Sequence, residues 1–497
     1  MTTEQQTQTP SVRTYGQWRL PKGAGLLGLG TSGTVVLLVG IIAVLVGILI
    51  DVRLGLGVAV VVAVGMAPLM VRVNGRTGAQ AMAARVAWWV GRRAGQDLYR
   101  SGPLSAVPQG TTRLPGLLAP SVMLAAQDAY GRPFGLIKLP WPHHYTAVLR
   151  CTADGAALVD AAQIDVWVAN WGGWLAALAH EPGIAGVSVT IETAPDSGQR
   201  LRSEVDRLVQ PGAPALAAQV LRQAAASYPA GSAQVITRLA ITWGPAMVSG
   251  RRDDTSIAAE IGNRLPGLAE GLARTGAGAA VPMTAEALAE MVRVAYDPAC
   301  AQDVDAARET GSTGITWAGA GPVAAQEFWG CLRHDSGVSV SWCMEEAPRG
   351  TVLSGVLAQL VSPHPQLPRK RVTLIYRPHN PGEAARIVDS DVRDAVFNAT
   401  KNPRAKARAT ADLRAAEQAA DEEASGAGVV RFSMLVTVTV PAGAQLGATE
   451  AVVRNLAATA RIRLRRAYGS QSAAFAAGLG VGVLLPHYAA LERLLAP

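Results

Sequence analysis

Lysine and cysteine are scarce in this chain, and no glycine is followed directly by a lysine. A P-loop requires a Gly-Lys pair, because that lysine contacts the nucleotide phosphates, so the sequence excludes P-loop nucleotide hydrolysis. The four cysteines are scattered along 497 residues. This spacing predicts reduced, buried thiols in the cytoplasm rather than a disulfide framework.

Signatures of hydrolases and of cofactor sites are also missing. The sequence contains no Gly-x-Ser-x-Gly and no His-Glu-x-x-His motif. Residues 28–33 match the dinucleotide fingerprint, but Pro21 and Lys22 precede them where a strand is required. Cys331, His334 and Cys343 would need His364 as a fourth zinc ligand, and buried thiols explain them better. We therefore assign no catalytic, cofactor or metal residue and expect a protein that is not an enzyme.

The positive charge is concentrated near the amino terminus. The whole chain carries a net charge of +8, and its first 110 residues contain 10 basic and 3 acidic side chains. The remaining chain has 35 basic and 34 acidic residues, so its charge is almost balanced. A nucleic-acid-binding domain would show a basic face on its folded part. The composition therefore argues against direct, sequence-specific binding of nucleic acid.

Two long stretches, 33–50 and 54–71, contain no ionisable residue and are separated only by Asp51-Val52-Arg53. About 18 apolar residues suffice to cross a bilayer as a helix, whereas a signal peptide has a single, shorter apolar region. The pattern predicts a two-span transmembrane hairpin over residues 26–72, with the lipid bilayer as a partner. Because basic residues stay on the cytoplasmic side, both termini and the large soluble part are expected in the cytoplasm of a multi-pass membrane protein.

Two sets of residues are candidates for interactions of this hairpin. Small residues at regular spacing allow close helix packing, either between the two spans or with the spans of a partner. They are Gly33, Gly40, Gly47, Gly55, Ala59, Ala63 and Ala67. Basic residues that flank the second span are candidates for contact with anionic lipid. They are Arg72, Arg76, Arg85, Arg92 and Arg93.

The rest of the chain is predicted to be α+β. The proposed divisions are a polar tail (1–25), the hairpin (26–72), an amphipathic helix with a linker (73–140) and two α+β units (141–310 and 311–497). Both units alternate strands and helices in a pattern typical of ferredoxin-like folds, which suggests a duplication that no residue-level repeat proves. Alternation of Val187, Val189 and Ile191 with polar residues predicts a strand with one solvated face. A single charged helix is predicted from Glu383 to Glu423, and Thr284 is predicted to cap a helix that ends near Tyr296.

Parts of the chain resemble components of bacterial conjugation machines. The short tail and tight hairpin resemble PrgI-like subunits. Two further stretches resemble the amino-terminal, non-motor domain of the VirB-type ATPases, and the joining of both parts is similar to an actinobacterial family. The overall layout is also similar to the EccE subunits of type VII secretion. The residues that carry the VirB-type resemblance are Ile257, Thr284, Leu288, Pro298, Thr437, Gln471, Phe475, Leu479 and Pro486.

The resemblance implies a non-catalytic, inner-membrane structural subunit of a conjugation (type IV-like) or type VII-like secretion apparatus. Such a subunit would belong to a multi-copy assembly with other channel subunits and would dock a separate VirB- or FtsK-type motor ATPase. The motor domain is missing here, so ATP hydrolysis does not carry over. The alternative is a membrane-tethered transferase or hydrolase that acts on a lipid-linked substrate.

Overall fold

The computed structural model describes residues 13–16, 18, 30–70, 72–73, 76–102, 105, 112–153, 155, 158–227, 232–248, 253–348, 350–401 and 406–488. Its helices are α1 (Gly30–Ile50), α2 (Val52–Met70), α3 (Gly78–Arg93), α4 (Ala161–Leu178), α5 (Gln199–Leu208), α6 (Ala215–Ser227), α7 (Asp254–Ala273), α8 (Ala285–Tyr296), α9 (Ala301–Thr310), α10 (Ala358–Val361), α11 (Pro381–Lys401), α12 (Lys406–Ala424), α13 (Leu446–Thr459) and α14 (Gln471–Gly478).

The strands are β1 (Arg72–Val73), β2 (Arg76–Thr77), β3 (Leu98–Arg100), β4 (Val122–Gln127), β5 (Pro133–Leu139), β6 (His144–Thr152), β7 (Ile184–Pro195), β8 (Ala233–Trp243), β9 (Ala279–Pro282), β10 (Ala324–Glu327), β11 (Leu332–His334), β12 (Gly337–Glu346), β13 (Arg369–Pro378), β14 (Val430–Pro441) and β15 (Arg463–Arg466). Strands β1 and β2 pair only with each other among the described strands. The other thirteen form one antiparallel sheet in the order β3-β10-β11-β12-β14-β13-β7-β8-β6-β5-β4, with β15 beside β12 and β9 beside β6. The predicted α+β class is confirmed.

The sheet contains the same arrangement twice. In the first half the strand order is β9-β6-β8-β7, and in the second it is β15-β12-β14-β13. Both follow the split β-α-β pattern of ferredoxin-like folds, and each is extended by a hairpin, β4–β5 or β10–β11. The halves meet where β7 pairs with β13, with Thr190 opposite Thr373 and Glu192 opposite Arg371. Residues 122–139, assigned from the sequence to a linker with short strands, form β4 and β5 of this sheet.

The apolar amino-terminal stretches form helices α1 and α2, with side chains described along residues 34–50 and 52–67. In this described part of the chain, no helix has both the length and the apolarity that a membrane crossing requires. The prediction of a two-span transmembrane hairpin over residues 26–72 is therefore wrong, and so is the multi-pass membrane location with cytoplasmic termini. A crossing needs a single helix with about 20 predominantly apolar residues.

Helices cover one face of the sheet in each half. Helices α4 and α7 pack on the first half, where Trp174, Leu268 and Ile241 belong to one core, and α10 and α13 pack on the second half. The Asp253 side chain accepts a hydrogen bond from the backbone N–H of Ser256 at the start of α7. Thr284 caps α8 in the same way, and α8 ends at Tyr296, as predicted from the sequence.

The opposite face of the sheet is also buried, by α8, α14 and the chain after α14. Ser188, Thr190 and Glu192 of β7 point to this face and are buried. The prediction that β7 has one solvated face is therefore wrong. Alternation of polar and apolar residues along a strand distinguishes its two faces but does not tell whether another element covers the polar one.

Residues 478–484, which we call the glycine segment, cross this second face over strands of both halves. The Thr373 hydroxyl donates to the carbonyl oxygen of Gly478 at 3.0 Å. A Cβ atom built on Gly480 would lie 2.4 Å from Oγ1 of Thr190, and one built on Gly482 would lie 1.9 Å from Oγ1 of Thr146. Gly480 and Gly482 also have positive φ angles of 72° and 87°. Glycine is required here for both backbone conformation and close approach.

We expect Gly482→Ala to lower the free energy of unfolding by roughly 3 kcal/mol or more, since it adds both steric overlap and backbone strain. Gly443→Ala is the matched control, because Gly443 has φ 99° but a Cβ added to it would meet no atom within 4 Å. Gly443→Ala should lower the free energy of unfolding by only about 1 kcal/mol, because it adds backbone strain without steric overlap. Urea unfolding of both variants measures the difference, and equal losses would contradict the close approach described above.

Candidate functional site

Helices α1 and α2 form an antiparallel hairpin whose contact surface is made of small residues. Gly40 faces Val62, and a Cβ on Gly40 would lie 2.7 Å from Cγ1 of Val62. Near the turn Gly47 and Gly55 face each other, with a Cβ on Gly47 placed 3.0 Å from the Cα of Gly55. Close backbone approach of this kind depends on residues without side chains. The two helices therefore pack tightly against each other.

The turn between these helices is a single non-helical residue, Asp51. Its side-chain Oδ1 accepts a hydrogen bond from the backbone N–H of Arg53 at 2.7 Å, and its backbone carbonyl accepts from Gly55 at 2.9 Å. An aspartate at this position satisfies the free N–H groups at the start of α2 and complements the helix dipole. The aspartate therefore ends one helix and begins the next.

The outward surface of the hairpin consists of large apolar side chains. Leu49 is 85% exposed, Val61 71% and Val64 68%. Of the predicted packing residues, Gly40, Gly47 and Gly55 lie in the helix–helix contact and Ala59 is half-buried. Ala63 and Ala67 are exposed, and the surroundings of Gly33 lie outside the described residues. An exposed apolar surface of this extent is typical of an interaction site.

The predicted basic residues lie after this hairpin. The backbones of Arg72 and Arg76 belong to β1 and β2, and their side chains lie outside the described residues. Arg85, Arg92 and Arg93 are exposed on α3. The guanidinium of Arg93 lies 3.5 Å from the ring centroid of Trp89, and Arg92 lies 5.3 Å from that of Trp88. Two of the three arginines are therefore held over indole rings of the same helix.

Aromatic contacts connect α3 to the sheet domain. The Trp88 ring meets Trp329 edge to face with centroids 5.4 Å apart, and Trp329 stacks on Tyr468 at 6.0 Å. Trp329 also lies over Gly469, which has φ 68°. Since α3 also contacts α2, this aromatic ladder fixes the position of the hairpin relative to the sheet.

A buried charged cluster lies where the two halves of the sheet join. Glu192 of β7 accepts hydrogen bonds from Arg238 of β8 and from Nη1 of Arg369, the latter at 2.7 Å. The buried Arg371 of β13 has its guanidinium 4.6 Å from the ring centroid of Phe475. Sequence reasoning missed this cluster, because its four charged residues come from three strands that are distant along the chain.

The three arginines determine the ionisation of this glutamate. Burial alone would raise the pKa of Glu192, but Arg238, Arg369 and Arg371 outweigh it and hold the pKa well below its ordinary range. Burial also lowers the pKa of Arg371, to about 10. The cluster is therefore charged at neutral pH, and the Glu192 carboxylate is the one negative charge that compensates its three guanidinium groups.

We expect Glu192→Gln to lower the free energy of unfolding by about 3–5 kcal/mol at neutral pH, because it leaves buried guanidinium groups without their carboxylate. Glu204→Gln is the matched control, because it breaks the exposed ion pair with Arg207. It should change the free energy of unfolding by less than about 1 kcal/mol. Since the pKa of Glu192 is depressed in the folded state, its contribution is present above the unfolded pKa and is lost as pH falls. Denaturation at several pH values should show a weaker acid dependence in Glu192→Gln, and an unchanged dependence would contradict the ion pairs.

The residues considered for a zinc site do not have the arrangement of metal ligands. The His334 ring is buried, with Nδ1 against the carbonyl oxygen of Tyr296 and Nε2 2.7 Å from Oγ of Ser339. Both ring nitrogens are thus occupied by hydrogen bonds. No group of three or more His, Cys, Asp or Glu able to hold a metal is found among the residues that the structure describes.

Trp171 and Trp174 of α4 stack with ring centroids 5.2 Å apart, and Trp174 donates to the carbonyl oxygen of Leu268.

Burial lowers the pKa of His334 to about 4. The folded chain therefore protonates this ring only at a lower pH than the unfolded chain does. The free energy that the neutral, buried His334 ring contributes to folding is fully present above the ordinary histidine pKa of about 6.5, and it is lost as pH falls towards 4. We expect the unfolding temperature to decrease over this interval. His334→Gln should reduce that decrease, whereas His180→Gln, at a position in the turn after α4, should preserve it. An identical pH profile for His334→Gln would contradict a neutral, buried ring.

A groove opens on the side of α8 that faces β4. It encloses about 780 Å³ and is lined mainly by apolar side chains, including Leu118, Met123 and Trp317. Arg113 and Glu286 are the charged residues of its lining. The Glu286 carboxylate accepts hydrogen bonds from Ser312, Thr313 and Gly314, which lowers its pKa. Because this carboxylate holds the adjacent loop in place, it is a structural element of the groove wall.

Comparison with known proteins gives one finding for the amino-terminal part. Residues 22–80 match the family described as "Domain of unknown function (DUF8461)". No curated protein matches the chain. The match covers the α1–α2 hairpin and the beginning of α3, which is a small part of the 497 residues, and its description assigns no activity to them.

Proposed function

We propose that this chain is a non-catalytic structural subunit of a bacterial conjugation or secretion assembly, which acts by binding other proteins of that assembly. A separate motor ATPase of the VirB or FtsK type is among the proposed partners. The observation that carries the proposal is the α1–α2 hairpin, whose two helices are packed tightly at glycines while their outward surfaces carry large exposed apolar side chains.

Two features support protein binding as the role of this hairpin. Its internal contact is already complete, since Gly40, Gly47 and Gly55 leave no room for a further side chain between the helices. The apolar surface is therefore directed away from the partner helix, where burial against another protein would be favourable by about 25 cal/mol per Å². The aromatic contact between Trp88 and Trp329 holds α3, which follows the hairpin, against the sheet domain, so a bound partner would be positioned relative to it.

We expect the double variant Val61→Glu/Val64→Glu to lose its partners, because it places two charges on the outward surface of α2 without touching the α1–α2 contact. Leu158→Glu is the matched control, since it adds the same kind of charge to a fully exposed residue elsewhere. The measurement is affinity purification of the tagged full chain from its native host, with quantitative mass spectrometry.

The wild type and Leu158→Glu should recover the same set of proteins, including a VirB- or FtsK-type ATPase, and the double variant should recover at least roughly tenfold less of it, equivalent to about 1.4 kcal/mol. Recovery of the wild type without any such ATPase would overturn the proposed role. Equal recovery by the double variant would show that the hairpin is not the binding surface.

A further inference from the structure

Strand β4 has an outer edge whose backbone groups are directed away from the sheet. The N–H of Asp128 donates to the carbonyl oxygen of Arg132 at 3.0 Å, which closes the β4–β5 hairpin. In an antiparallel pair the bonded positions alternate, so Leu124 and Ala126 bond to β5 while Met123 and Ala125 turn their N–H and C=O outward. The N–H of Gly135, opposite Ala125, accordingly bonds to Met283 on the other side.

Nothing in the described part of the chain pairs with this edge. No strand lies beyond β4 in the sheet order, and no described backbone group bonds to the outward N–H of Met123 or Ala125. The strand also contains no charged residue and no proline. Natural sheets usually protect such edges with lysine, proline, a bulge or a covering element, so an uncharged free edge is a template for another strand.

The other half of the sheet shows how an equivalent edge is filled. Strand β10 occupies the position that β4 has in the first half, and its hairpin partner is β11. The outer edge of β10 is paired with β3 in antiparallel register, with Ala325 opposite Tyr99 and Gln326 opposite Leu98. The chain therefore supplies a short added strand at one end of the sheet, while the described residues supply none at the other.

The groove beside β4 would provide specificity for the side chains of a peptide bound at this edge. Val122 and Met123 belong to both the strand and the groove lining, so a strand paired with β4 would have the apolar wall formed with Trp317 next to it. Arg113 lines the same groove and is an exposed residue. Together these features fit an extended peptide with apolar side chains and one carboxylate. In strand addition, main-chain hydrogen bonds provide affinity and such pockets provide specificity.

We propose that β4 binds an extended segment of a partner protein as an additional antiparallel strand. Its apolar side chain enters the groove at Met123 and Trp317, and its carboxylate pairs with Arg113. The nature of the occupant rests on the proposed function, in which other subunits of an assembly bind this chain. The binding surface is distinct from the α1–α2 hairpin, so each can be tested separately.

The experiment uses the full chain and a displayed library of octapeptides that alternate Val, Leu, Ile or Phe with Thr, Lys or Glu. Ala125→Pro removes the outward N–H and obstructs pairing, while the bonds between β4 and β5 remain, because proline is tolerated when its N–H would face away from the sheet. Ala125→Val is the matched control, since it changes the side chain and keeps the N–H. Unfolding temperatures of both variants confirm that the fold is retained.

We expect selected peptides to bind the wild type and Ala125→Val within about twofold of each other, and Ala125→Pro at least roughly tenfold more weakly, which corresponds to about 1.4 kcal/mol. Binding should also slow hydrogen exchange at the Ala125 amide, and Arg113→Ala should select against peptides that contain Glu. Three outcomes would overturn the proposal: no peptide is enriched, enriched peptides bind Ala125→Pro equally well, or the Ala125 amide is already protected in the free chain. Each leaves the partner recovery described for the hairpin unaffected, so the two proposals fail independently.

Discussion

The close contact between the glycine segment and the threonines beneath it determines how the two halves of the sheet are held together. The segment crosses from Thr437 and Thr373 in the second half to Thr190 and Thr146 in the first. A backbone can lie this near to a sheet only if the segment has glycines and the strands carry short side chains. One stretch of chain therefore binds both halves, in addition to the β7–β13 hydrogen bonds.

This arrangement explains why a polar face of the sheet can be buried. The hydroxyls of Thr190 and Thr373 bond to each other at 3.1 Å across the junction, and those of Thr146 and Thr242 bond at 3.0 Å. Buried polar groups are tolerated when they are hydrogen-bonded, so the threonines provide small volume without unsatisfied hydroxyls. The Glu192 cluster lies beside them at the same junction, and its charges restrict β7 and β13 to the observed register because a shift by one residue would place them on the opposite face.

The two proposed binding surfaces differ in their physical character. The α1–α2 hairpin offers large apolar side chains, whose burial is non-directional and proportional to area. Strand β4 offers oriented backbone groups beside a groove, which favour one direction and one spacing of the bound chain. The aromatic ladder from Trp88 to Tyr468 relates the helix that follows the hairpin to the sheet that carries β4. A structural subunit with both surfaces could hold two partners in a defined arrangement.

The sequence alone determined the features that depend on neighbouring residues. A capping threonine and hydrophobic spacing predicted α8 with both of its ends, because these signals act within a few residues. Tertiary structure decided the rest. The predicted helix from Glu383 to Glu423 is two helices, α11 and α12, packed on each other. The burial of the polar face of β7 and the Glu192 cluster both depend on contacts between residues that are far apart in the chain. Local periodicity contains no information about such contacts, since it does not specify which elements meet.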